Sequence, residues 1–203
     1  MSGVASLVRL GFPSPVPARD DVQVTRAQVL GTSAWVAYTP DRREARRRRA
    51  LSLGAVVDWD LLDTLMELPE GMPVPLSALS SPARRRVARA APGVARVTDG
   101  QVVRHLVPAV TPLLAVVTAT DWEIGLARAS RFASYCRRMV LSSAQPASGQ
   151  VAETAGRLGI GLAVHDGSGL AEFLLEPEPV LDWQPTTAWW RFCEVIWDQA
   201  GRS

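Results

Sequence analysis

Arginine is the residue type through which this chain could do chemistry, and it is unevenly spread. Residues 42–49 hold six arginines (Arg42, Arg43, Arg46, Arg47, Arg48 and Arg49) against Glu44, and residues 84–89 hold four more (Arg84, Arg85, Arg86 and Arg89). A guanidinium is planar, permanently charged and donates in a fork, a shape that suits phosphate oxygens. Such runs are expected to track a nucleic-acid backbone, each contact adding salt-dependent affinity. For the first run the other readings are a solvated helix, a disordered basic arm and a surface for an acidic protein partner; it offers almost no apolar stripe, which leaves it little reason to fold unaided and favours binding. The formal net charge is only +2 and the pI about 8.9, so the basic character is local.

Absences narrow the chemistry further. All 22 basic residues are Arg and none is Lys, which excludes Schiff-base catalysis and the lysine of phosphate loops. The codon usage of a GC-rich, actinobacterium-like genome accounts for the bias. His105 and His165 with Cys136 and Cys193 are too few and too scattered for a zinc site, so no metal and no cofactor is expected. Ser168 lies in a Gly-Ser-Gly turn and not in a strand-to-helix nucleophile elbow. Gly159-Ile-Gly161 lacks the third glycine of a dinucleotide loop. Two distant cysteines suit a reducing compartment, the N-terminus lacks signal-peptide character, and no apolar run reaches the roughly 18 residues of a membrane span. A cytoplasmic protein with no membrane association is expected.

These side chains must be positioned by regular elements, and the patterns predict the following. Pro13, Pro15 and Pro17 punctuate the start, and residues 29–38 read as one strand or two short ones. Asp41 caps a helix over 42–53 that Gly54 stops, and a second helix covers 58–68 with Trp59, Leu62, Leu65 and Met66 inward. After a Pro/Gly linker, Ser81-Pro82 starts a helix to about Ala91. Residues 94–98 and 102–107 form a hairpin about Asp99-Gly100. Residues 113–118 form a strand buried on both faces, and Thr120 or Asp121 caps a long helix whose Trp122, Leu126, Ala129, Ala133 and Cys136 face a core. A short strand at 139–141, a helix at 150–158, and strands at 160–164 and 172–175 about an Asp166–Gly169 turn complete the pattern. Glu176-Pro-Glu178-Pro reads as a stiff acidic exit from the domain. The tail reads as an amphipathic aromatic helix, with Trp189, Trp190, Phe192 and Trp197 covering a sheet or anchoring a subunit interface.

Helix, hairpin, buried strand, helix, strand is the order of a restriction-endonuclease-like core. The run Leu113 to Leu141, with Asp121-Trp122 opening its Ala/Leu-rich helix, and the later Gly159-Ile160-Gly161-Leu162 resemble the corresponding segments of that nuclease superfamily. The resemblance implies an α/β (α+β) fold, a mixed sheet flanked by helices, behind an irregular Arg-rich N-terminal region. It divides the chain into an N-terminal extension (1–75), the core (76–180) and the aromatic helix (181–203). It also implies a carboxylate on the hairpin and a Glu-x-Lys pair on the next strand, one binding Mg²⁺ and the other orienting water. Here those positions fall at Asp99, Val116 and Thr118, and a helix glutamine of the family falls at Arg128. The strand offers neither carboxylate nor amine, and Arg does not replace Lys as a proton-exchanging group.

The resulting expectation is a non-catalytic nuclease-like protein that acts by binding, as a DNA-binding or accessory regulatory factor, with Arg42, Arg43, Arg46, Arg47, Arg48, Arg49, Arg84, Arg85 and Arg89 on phosphates. Homo-oligomerisation or a protein partner would use the tail. Two alternatives stand beside it: an active nuclease drawing on Asp99, Asp121 and Glu123, and a pure protein-interaction module. Residues 58–107 also read as a winged helix with the 81–91 helix in a groove. That reading competes for residues the nuclease-like core also claims, and the continuing downstream strands favour the core.

Overall fold

The computed structural model describes residues 21–146, 148–165, 171–180 and 184–201. The Pro13–Pro17 stretch and the Asp166–Gly169 turn with Ser168 lie outside the described residues. Two compact units are present. Their described parts are the stretch up to Pro40 with that from Thr111 to 180 and from Gln199, and the stretch Asp41–Val110 with Gln184–Asp198. Among the described residues no helix is long and apolar enough to cross a membrane.

The first unit carries a six-stranded mixed sheet in the order β1-β2-β6-β7-β8-β9. β1 (Gln23–Val29) and β2 (Thr32–Pro40) form an antiparallel hairpin about Leu30-Gly31. β1 alternates, with Thr25, Ala27 and Val29 buried and Arg26 and Gln28 exposed, as a half-buried strand must. The expectation of one or two short strands within 29–38, in an irregular region, is corrected. Residues 23–40 are two full strands of the main sheet.

β6 (Val110–Thr118), α4 (Trp122–Ser130), β7 (Arg137–Ser142), α5 (Gly149–Leu158) and β8 (Gly161–His165) follow, with β6, β7 and β8 parallel and β9 (Ala171–Leu175) antiparallel to β8. Successive side chains of these strands go to opposite faces. Leu114, Val116, Met139, Leu141 and Ala163 bury one face together with Ala37. On the other, Gly125 lets α4 approach so closely that a Cβ there would sit 2.7 Å from Val140 Cγ1. α4 ends before Ala133 and Cys136. The Ser130 hydroxyl donates to the Leu126 carbonyl, and successive backbone bonds three residues apart (Arg131 to Arg128, Phe132 to Ala129, Ala133 to Ser130) tighten the chain out of the α-helix.

The second unit is built from α1 (Arg42–Ala50), α2 (Trp59–Met66), β3 (Pro73–Pro75), a 3-10 turn (Leu76–Ala78), α3 (Ser81–Arg89), β4 (Ala95–Thr98), β5 (Gln101–Arg104) and most of α6 (Thr187–Ala200). Asp41, Asp58 and Ser80 cap the first three helices by accepting from the N–H groups of Glu44, Leu61 and Ala83. Leu62, Leu65, Val87, Val102 and Leu106 are fully buried in it. α1 does not run to Leu53: Leu51 ends it and Ser52, at φ 50°, supplies the left-handed residue expected from Gly54.

β3, β5 and β4 form a separate three-stranded sheet in that order. The 94–107 hairpin therefore pairs with Pro73–Pro75 and is not part of the main sheet, which corrects the division into 1–75, 76–180 and 181–203. Two prolines two positions apart do not read as a strand, yet they are tolerated here because β3 lies at the sheet edge.

Candidate nucleic-acid interface

α3 is a short amphipathic helix whose inward side is small. Ala83 and Val87, four residues apart, are buried, which leaves Arg84, Arg85 and Arg89 exposed and Arg86 half-buried. Arg84 Nη2 donates to Ser81 Oγ at 3.0 Å, and Arg86 Nη2 pairs with Asp60 Oδ2 at 2.8 Å. Arg85, Arg86 and Arg89 line a cleft of about 410 Å³ with Asp58, Leu61, Pro82 and Ala90. In the same unit β4 exposes Arg96 and Val97 beside the Asp99-Gly100 turn. Asp99 adopts φ 53°, the conformation that this hairpin turn demands.

The arginine run on α1 divides sharply. Arg42, Arg43, Arg46 and Arg49 are exposed, whereas Arg48 is fully buried and Arg47 is held in place. Arg48 Nη1 and Nη2 donate to the two carboxylate oxygens of Glu194 at 2.6 and 2.7 Å, its Nε to Glu44 Oε1 at 2.8 Å, and Nη2 also to the Val107 carbonyl at 2.7 Å. Glu194 in turn accepts from the Val56 N–H at 2.9 Å and from Trp190 Nε1 at 3.2 Å. Arg47 clasps Glu44 through two bonds of 2.7 Å and donates to the Gly93 carbonyl at 2.7 Å. The expectations that α1 lacks an inward side and that Arg47 and Arg48 meet phosphates are corrected. α1 turns Glu44, Ala45 and Arg48 inward because two carboxylates compensate the buried guanidinium.

The electrostatics follow this geometry. Burial works against the charge on Arg48, but Glu194 and then Glu44 outweigh it and raise its pKa above the ordinary value. Burial pushes the Glu44 carboxyl up, yet Arg47 and Arg48 more than reverse this and hold it below the usual carboxylate range. His105 is lowered by burial and by the charges of Arg96 and Arg47. Arg104 is lowered by burial, with Glu70 opposing, and its guanidinium lies 5.2 Å from the Trp190 ring centroid.

The aromatic helix is also placed differently from a free interface. Trp189, Trp190 and Phe192 are buried, and half-buried Trp197 lies 5.8 and 6.0 Å from the guanidiniums of Arg48 and Arg49. These rings are core material of their own unit and do not form an exposed anchor set. Sequence reasoning passed over Glu194, the residue that binds α6 to α1. Its signal was an acid standing alone among Trp190, Cys193, Ile196 and Trp197.

In the first unit, Val116 is buried in the apolar cluster, Thr118 is exposed at the end of β6, and Arg128 is exposed on α4. Asp121 caps α4 by accepting from Ile124 N–H at 2.9 Å, and Glu123 lines a separate cleft of about 280 Å³ with Leu126, Ser148 and Thr154. Asp99 belongs to the other unit. Among the described residues no three His, Cys, Asp or Glu side chains are grouped so as to hold a metal ion. The glycines of Gly159-Ile-Gly161 serve packing: a Cβ at Gly161 would lie 2.8 Å from the Pro177 backbone nitrogen, and Gly159 caps α5 at φ 63°.

Comparison of the chain with family models, curated proteins and solved structures finds no match.

Proposed function

We propose that this protein acts by binding duplex DNA through the unit of residues 41–110 and 184–198, and that it binds without cutting. One observation carries the reading: α3 presents Arg84, Arg85 and Arg89 to solvent within a unit whose α3 is followed by the β4–β5 hairpin. The order α2, β3, α3, β4, β5, with the sheet order β3-β5-β4, resembles a winged helix. In helix-turn-helix proteins generally the recognition helix lies in the major groove, which here assigns α3 to the groove. Arg96 of β4 and the outward Arg42, Arg43, Arg46 and Arg49 of α1 add sequence-independent attraction for phosphates.

The other unit is proposed to keep a restriction-endonuclease-like scaffold as an accessory or regulatory body. Its β6–α4–β7 parallel crossover and mixed sheet support the scaffold. The apolar surroundings of Val116, where that chemistry would need a carboxylate, support the loss of cutting. A scaffold alone carries no activity. The test is fluorescence anisotropy with a labelled duplex over a salt series. Affinity is expected to fall linearly in log–log form as salt rises, and the absence of binding at low salt would remove the proposal.

A further inference from the structure

We infer that the cleft between α2 and α3 seats a single backbone phosphate of the bound duplex, gripped jointly by Arg85 and Arg89, with Arg86, which pairs with Asp60, beside them on the lining. This inference rests on the DNA-binding reading above. Arg85 and Arg89 are four residues apart, so they project from one side of α3, and both line the same concavity of about 410 Å³. Arg84 stands apart from them: it is absent from the cleft lining and turns back to Ser81 Oγ.

One oxygen of each carboxylate near the cleft is already engaged. Asp58 Oδ1 accepts from the Leu61 N–H at 2.8 Å, and Asp60 Oδ2 holds Arg86 at 2.8 Å. Arg85 and Arg89 are thus left as the cationic donors of the cleft toward an incoming oxyanion. A phosphodiester has two non-bridging oxygens, and two guanidiniums from successive turns lining one cleft can satisfy both. The neighbouring Asp58 carboxylate works against a small free anion. The phosphate is therefore expected to be one delivered by a duplex that Arg84 and the hairpin already hold.

The slope of log affinity against log salt counts phosphates neutralised, about 0.9 for each phosphate on duplex DNA. The experiment compares the full chain with Arg85→Gln, Arg89→Gln and the double variant on one labelled duplex. Thermal unfolding checks that these exposed substitutions leave the fold unchanged. Each single variant is expected to weaken binding about tenfold with an unaltered slope, because the remaining guanidinium still holds the phosphate. The double variant is expected to lower the slope by about 0.9. A loss of about 0.9 in each single variant and about 1.8 in the double would mean two separate phosphates and overturn the inference, as would unchanged binding in all three. Displacement of the duplex by inorganic phosphate beyond the effect of chloride at equal ionic strength would identify a free-anion site and overturn it too. If the wild-type chain binds no duplex, the DNA-binding reading itself falls. If the wild type binds and only these variants behave otherwise, the reading stands and the shared seat does not.

Discussion

Arg48 and Glu194 stand 146 residues apart in the chain and meet in a forked ion pair of 2.6 and 2.7 Å, with both side chains fully buried. The pair sits inside the arginine run that the sequence presents as a surface for phosphates. It makes α6 part of the same unit as α1. Glu194 accepts four bonds in all, with Val56 and Trp190 beside Arg48, and Arg48 donates four, with Glu44 and Val107 beside Glu194. That satisfaction makes a buried pair tolerable in a low-dielectric interior.

Breaking this pair from one side is expected to be costly. Glu194→Ala leaves the Arg48 charge buried with Glu44 alone, and a loss of about 3–5 kcal/mol is expected from urea unfolding. The double variant Arg48→Met/Glu194→Met removes both charges, and its loss should fall well short of the sum of the two singles. Additive losses would show that the two residues do not couple.

The same network sets an acid limit. Because the folded-state pKa of Glu44 lies below its usual 4.5, its ion pairs contribute stability that is fully present above that value. The contribution is lost as pH falls through the depressed folded value. Stability measured by denaturant against pH should therefore decline below about pH 5, and Glu44→Gln should lower the plateau and flatten that decline. An acid limb of unchanged slope in Glu44→Gln would assign the decline to other carboxylates.

Trp190 is expected to be a core residue and not a subunit anchor. It is 1% exposed, donates to Glu194 and lies under Arg104. Trp190→Ala should cost about 3–5 kcal/mol in unfolding experiments. Sedimentation of the folded fraction should show the same association state as wild type. A folded variant that dissociates would restore the interface role.

Two glycines in one short stretch should respond in opposite directions. Gly156 lies in α5 with nothing near an added Cβ, so Gly156→Ala should stabilise by about 0.5–1 kcal/mol. At Gly161 the added Cβ would meet the Pro177 backbone nitrogen at 2.8 Å, and Gly161→Ala should destabilise by about 1–3 kcal/mol. Thermal melts of both variants decide whether Gly161 serves packing and Gly156 does not, as the structure has them.

Supercoiled plasmid incubated with the protein and Mg²⁺ or Mn²⁺ is expected to stay intact. Asp121→Ala should cost about 1 kcal/mol through the lost helix cap and change nothing in that assay. Cleavage that disappears in Asp121→Ala would assign this residue a catalytic role in place of a capping one.

Local signals carried much of the fold. Asp41, Asp58, Ser81-Pro82 and Asp121 mark helix starts within a residue of where they occur, because a cap is decided by the few atoms around it. The apolar run within 113–118, the helix ending at Leu158 and the Asp99-Gly100 turn were legible for the same reason. Alternation in Gln23–Val29 was also present, and reading it would have placed the first strand.

By itself, then, the sequence determined the order of the helices and of the strands from residue 94 onward, the absence of lysine chemistry, and the lack of a carboxylate on the strand that carries Val116 and Thr118. The tertiary structure decided which arginines face water. It put Arg84, Arg85 and Arg89 outside and Arg48 inside, although all four stand in similar Arg/Ala-rich runs. It also decided that the 94–107 hairpin joins Pro73–Pro75 and not the six-stranded sheet. The physical reason is common to both. Burial of a charge and pairing of a strand depend on partners distant in the chain, here Glu194 for Arg48 and an edge strand for the hairpin, and composition and spacing around a residue do not contain those partners.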